Sequence, residues 1–114
     1  MRHATGVRVG SLATRALNSG KVDTIAVFTT DGRLLRGRYA VLADPKNIFG
    51  FQNEAPLVSR EVLAREGPAF AQTLNAVSAW LTTSAISDMN AAADIEHHTP
   101  AAVAGSFLAA HGLR

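Results

Sequence analysis

"AVFTTDGRL", residues 26–34, breaks an apolar run with two threonines, an aspartate and a glycine before apolar residues resume. Just upstream, "DTIAVF" (residues 23–28) has the β-branched apolar character and the length of a strand. The break has two readings. Aspartate before glycine favours a β-turn, and a threonine hydroxyl bonds its own backbone, so "TTDG" is a competent turn by itself. Alternatively, Thr29, Thr30 and Asp31 stand at the carboxyl end of a strand, where open α/β sheets bind ligands. On these residues alone both remain open.

Working outward, "SLATRALNSGK" (residues 11–21) reads as a helix. Ser11 can cap it, Leu12, Ala13, Ala16 and Leu17 share one face, and Gly20 can end it. The short step from there into residue 23 is the usual helix-to-strand join. "YAVLAD" (39–44) is a second short strand closed by Asp44-Pro45, and "APLVS" (55–59) is a third candidate. Between these lies the loop "DPKNIFGFQNE" (44–54), whose Phe49 and Phe51 must either pack beneath it or line a pocket. From Ser59 onward the pattern is helical. Ser59 caps "REVLARE", and Gly67-Pro68 ends that helix and starts the next. In "PAFAQTLNAVSAWL", Phe70, Leu74, Val77 and Leu81 form an apolar stripe. Thr82 or Thr83 caps "SAISDMNAAAD", and Thr99-Pro100 opens a last helix that closes at Gly112.

Composition excludes several classes of function. The 114 residues are 47% hydrophobic and 18% charged, which suits one folded domain and not a disordered chain. There is no cysteine, so thiolate catalysis, disulfides and cysteine-based zinc sites are ruled out. No apolar run is long enough to span a membrane. Residues 1–46 hold eight Lys or Arg against three acids, and residues 47–114 three against six. Within the basic half only Arg33, Arg36 and Arg38 cluster, with no interleaved stacking aromatics, so no nucleic-acid role is expected. No nucleophile elbow, phosphate-binding glycine loop or separated carboxylate pair appears, so no catalytic residue and no cofactor are expected. His97 and His98 are adjacent and cannot easily turn both rings onto one ion, so no metal is expected. Trp80, on an amphipathic helix, belongs to the core or to the surface and not to a cofactor site, and Asp88 and Asp94 belong to a solvated helix face.

The ordered pieces "ALNSGKVDTIAVFTTDGRL", "YAVLADPKNIFGFQNEAPLVSREVL" and "TLNAVSAWLTTSAISDMNAAADIEHHTPAAVAGSFLAAHGL" resemble the C-terminal portion of the glycine betaine/choline substrate-binding proteins of ABC importers. The most specific elements are "GKVD", "FTTDG", "FGFQN" with "AP", and "LTT", "MN" and "D" near the end. The resemblance runs from about residue 11 to 114.

It implies an α/β chain that is part of a two-lobed periplasmic-binding-protein (type II) fold, a helix-rich C-terminal half with a few short strands. Residues 1–45 would end the second lobe, and residues 46–114 would form the hinge return and the C-terminal helices of the first. Members of the family are longer, so the chain is expected to be a fragment lacking the early first lobe. It is expected to work outside the cytoplasm although residues 1–20 hold no secretory signal. The implied partners are a small zwitterionic or cationic osmolyte and a membrane-embedded ABC permease. The implied ligand-binding residues are Thr29, Thr30, Asp31, Phe51, Gln52 and Asn53. A quaternary ammonium offers no N–H, so it is held by aromatic faces and anionic charge, here Phe51 and Asp31. The threonine hydroxyls and the amides of Gln52 and Asn53 can donate to the ligand's polar end. Apolar faces left without the missing lobe would favour a homo-oligomer. The competing expectation is a ligand-free, self-associating α/β fragment.

Overall fold

The computed structural model describes residues 11–50 and 53–113. Its elements are α1 (Ser11–Asn18), a 3₁₀ helix (Gly32–Arg36), α2 (Arg60–Glu66), α3 (Pro68–Trp80), α4 (Thr83–Asp94) and α5 (Pro100–Ala110). All five α-helices lie where their capping residues and apolar spacing place them. Ser11, expected as the cap, is the first residue of α1.

The helix ends follow local chemistry. Ser59, Thr82 and Thr99 each accept a hydrogen bond from the backbone N–H three residues on, at 3.2, 3.2 and 3.3 Å. Each satisfies one of the donors that a helix N-terminus leaves without a partner. Pro68 and Pro100 begin their helices where no N–H is needed. Gly20 stops α1 at φ +68, with its own N–H on Leu17 O and that of Lys21 on Ala16 O. That pair of bonds requires a left-handed residue, which glycine adopts without cost.

The expected strands are not formed. Among the described residues, 23–28, 39–44 and 55–59 make no β-ladder, and the β signature there is an isolated bridge at Thr24. An extended segment becomes a strand only when a neighbouring strand takes its N–H and C=O groups. Residues 40–43 run exposed, with Val41 and Leu42 two-thirds or more accessible. The apolar pattern that marked them as strands is present, but here it faces solvent.

α4 organises the packing, meeting the 3₁₀ helix on one side and α5 on the other, while α2 packs on α3. The buried apolar core is small, with Ala13 its buried hydrophobic member among the described residues. The stripe Phe70, Leu74, Val77 and Leu81 is half-buried throughout. The chain exposes 8912 Å², where a compact monomer of 12.0 kDa exposes about 6,000 Å². Its radius of gyration is 17.6 Å, against about 13 Å for a compact chain of this length. Leu57 is 99% exposed, and Ile48, Phe49 and Trp80 are all largely in solvent. Large apolar side chains this exposed are suited to being covered.

The 44–50 loop is tied by Asp44, whose Oδ2 accepts the Phe49 N–H at 3.0 Å. The Phe49 and Ile48 backbone N–H groups hold the Asp44 carboxyl below its ordinary value. A depressed acid contributes order that is present above its unfolded value and lost as pH falls through the lower folded value. The Phe49 amide resonance should therefore titrate with a midpoint below 3.8, the ordinary aspartate value, while the α4 and α5 amides stay put. A midpoint at that ordinary value would mean that Asp44 does not tie the loop.

Candidate functional site

The stretch 28–36 makes two successive turns. The Asp31 N–H bonds Phe28 O at 3.0 Å, closing a β-turn with Thr29 and Thr30 at its centre. Asp31 then caps the 3₁₀ helix from an extended conformation, its Oδ1 accepting the Arg33 N–H at 2.9 Å. The Leu34 N–H continues the turn by bonding Asp31 O at 3.0 Å. Asp31 Oδ2 also accepts from Arg33 Nη1 at 2.9 Å, an ion pair whose carboxylate side chain is 12% exposed and whose guanidinium side chain is 25% exposed. The structure thus sets a negative and a positive group side by side, both partly withdrawn from water.

This corner is fixed from outside by α4. Asn90 Nδ2 donates to Thr30 O at 2.9 Å, and the buried Ser87 donates its hydroxyl to Thr29 O at 3.4 Å. Carbonyls drawn into a half-buried corner need such partners. Gly32 is buried against Ala91, and a Cβ built at Gly32 would fall 2.5 Å from Ala91 N and 2.6 Å from its Cα. The backbone of α4 therefore rests directly on the corner. Ser87, Asn90 and Ala91 stand at i, i+3 and i+4, one face of a helix.

Of the residues expected to bind ligand, Thr29, Thr30 and Asp31 are brought together in this corner. Phe51 and Gln52 lie outside the described residues. Asn53 is exposed, and among the described residues no hydrogen bond joins it to the corner. Arg33 was named from the sequence only within a basic cluster and Asn90 only within the "MN" motif; neither they nor Ser87 and Ala91 were expected at the ligand site. The available signal was the spacing of small and amide residues in "SDMNAAA", a face that permits close backbone approach.

A cleft of about 460 Å³ lies elsewhere, between α4 and α5. Met89, Ala92, Val103 and Phe107 line it, with Asp88 and Glu96 also on its wall. At about 100° per residue, its α4 residues lie on the face nearly opposite Ser87 and Asn90. It shares no residue with the corner. On its wall His111 meets the rings of Trp80 and Phe107, centroids 4.6 and 4.5 Å away and tilted by 43° and 44°, and its Nδ1 lies 2.8 Å from Phe107 O. That His111 is held by its own helix and two rings accounts for it as packing.

The family model for the substrate binding domain of ABC-type glycine betaine transport systems matches residues 3–110, and the chain belongs to that family. It is a non-enzymatic family of extracytoplasmic transport proteins with the type II periplasmic-binding fold. This chain contributes a helix-rich part of that fold, without the expected strands among its described residues. A glycine-betaine-binding protein of Pseudomonas aeruginosa is 40% identical over 98 residues, covering 86% of this chain and 31% of that protein. The chain thus spans about a third of the length of the curated relative it matches. No solved structure matches it. Among the described residues, no helix is long and apolar enough to cross a membrane.

The close approach at Gly32 is directly testable. Gly32→Ala forces a Cβ into the α4 backbone, and such overpacking costs on the order of 1–3 kcal/mol. Urea denaturation should show a lower midpoint with an unchanged slope. A midpoint equal to that of the parent chain would mean that α4 does not rest on the corner.

Proposed function

We propose that this chain is part of the solute-binding component of an ABC importer for glycine betaine-like osmoprotectants. In this reading the Thr29–Asp31 corner is one wall of the ligand site. The observation that carries it is the pairing of Asp31 with Arg33 at 2.9 Å in a half-buried corner, within a chain of the betaine-transport family. Phe51, Gln52 and Asn53 would supply further contacts from the loop that follows. Residues 1–45 would close the second lobe, and residues 46–114 would return through the hinge to the helices of the first.

The charge arrangement bears on which osmolyte fits. Asp31 alone would attract any quaternary ammonium, choline included. Its charge is already met by Arg33, so a bare cation gains less from it. A zwitterion can offer its ammonium to Asp31 and its carboxylate to Arg33, which binds carboxylates well. The pair therefore supports betaine-like zwitterions over choline.

The exposed surface bears on partners. The excess over a compact monomer, roughly 3,000 Å² on this chain alone, is ample for one side of an obligate protein interface. The remaining part of the binding-protein fold, a permease and a second copy of the chain are all candidates to cover it. With the chain alone in solution, the second copy is the one present. Light scattering should then report a dimer or larger species, and a clean monomer at high concentration would count against self-association.

Asp31→Asn separates ligand contact from turn chemistry. Asparagine serves the cap position as well as aspartate does, so stability should change little. Losing the charge should weaken betaine binding by about 1–2 kcal/mol, roughly tenfold, in calorimetric titration. Unchanged affinity would return the residue to the turn alone.

A further inference from the structure

We propose that α4 is the positioning element of the ligand corner, with Asn90 as its principal residue and Ser87 as its second. This rests on the reading of the corner as a ligand wall. Asn90 and Thr30 are 60 residues apart in the chain, and Ser87 and Thr29 are 58 apart. Both bonds run from α4 side chains to corner carbonyls, so the Thr29 and Thr30 side chains are left free of them. α4 therefore fixes where the peptide planes of Thr29 and Thr30 point. Asp31 follows at once in the chain, and its carboxylate has a single local anchor, Arg33. Rotating the Thr30 plane would turn Asp31 and carry the Asp31–Arg33 pair with it.

The contact at Gly32 limits the alternatives. Because its Cα rests on Ala91, the corner has no room to move towards α4. Without the Asn90 donor, Thr30 O would be a half-buried carbonyl lacking its partner, and the corner's escape is away from the helix, towards water. The same helix carries the family-like "MN" pair with its two members on different faces: Met89 lines the α4–α5 cleft, and Asn90 faces the corner. α4 thus couples the packing of the C-terminal helices to the aim of the charged pair.

The test uses the full chain with Asn90→Asp, which keeps the shape but sets a carboxylate oxygen against Thr30 O. Ser87→Ala is the milder variant, and Asp88→Asn on the opposite face is the control. Two readouts are taken. In the unliganded chain, amide hydrogen exchange at Asp31, Arg33 and Leu34 should quicken by about tenfold in Asn90→Asp and by less in Ser87→Ala. The α5 amides of Val103 and Leu108 should not change. In calorimetric titrations, betaine affinity should fall by about tenfold and choline affinity by less, because only the zwitterion uses both charges of the pair. A merely structural loss would weaken both ligands alike.

Unmoved exchange at the corner in both variants overturns the positioning role, whether or not the chain binds betaine. A parent chain that takes up neither osmolyte overturns the ligand reading, while quickened corner exchange still upholds α4 as what fixes the corner. If Asn90→Asp does not fold, Ser87→Ala decides on the same amides. Equal loss for betaine and choline overturns the claim that α4 aims the pair.

Discussion

The capture of two backbone carbonyls by α4 is the constraint on which the rest of this structure depends. Thr29 O and Thr30 O receive Ser87 and Asn90, and Gly32 seats against Ala91. Without those contacts the corner would be a surface turn between two irregular segments. With them, a stretch early in the chain is joined to a helix near its end. A net hydrogen bond is worth only about 1 kcal/mol, yet leaving a half-buried carbonyl without a partner costs more. The asymmetry explains why polar side chains, Ser87 and Asn90, meet the two carbonyls here.

The same economy of contacts explains the surface. Helices α2 to α5 are short and joined by brief connections, with side-chain caps on α2, α4 and α5 and a proline opening α3, so each forms on local signals. What they lack is a large shared core. Ala13, Thr14 and Ser87 are buried, while Leu57, Ile48, Phe49 and Trp80 are not. Residues of that type are normally inside, and their placement in solvent marks faces built to be covered. The chain spans about a third of its curated relative, which agrees with a fold whose interior is completed by more than these residues.

Much of this was legible in the sequence. Ser59, Thr82, Thr99, Pro68, Pro100 and Gly112 mark helix ends through chemistry confined to three or four residues, and the helices stand where they indicate. The family was legible too, because its motifs lie in order along one chain. The strands were not, since a strand is a pairing and "YAVLAD" carries only half of one. The α4 face was hidden for a related reason. Ser87 and Asn90 look like ordinary surface polar residues until a carbonyl 58 or 60 positions away is brought against them. Asp31 was legible as a turn residue and as a charge, and the structure shows it capping the turn and paired. Arg33 was legible only as one of a basic cluster; its pairing with Asp31 was not, because two residues of opposite charge at i and i+2 meet only when the backbone turns between them.

Backbone amide resonances followed during a titration with glycine betaine test whether the corner resting on α4 is where this chain meets its ligand, as proposed. Saturable shifts are expected at residues 28–34 and at Ser87 and Asn90, with the α5 amides and the α4–α5 cleft undisturbed. Shifts confined to the α4–α5 cleft, or none at saturating betaine, would contradict it.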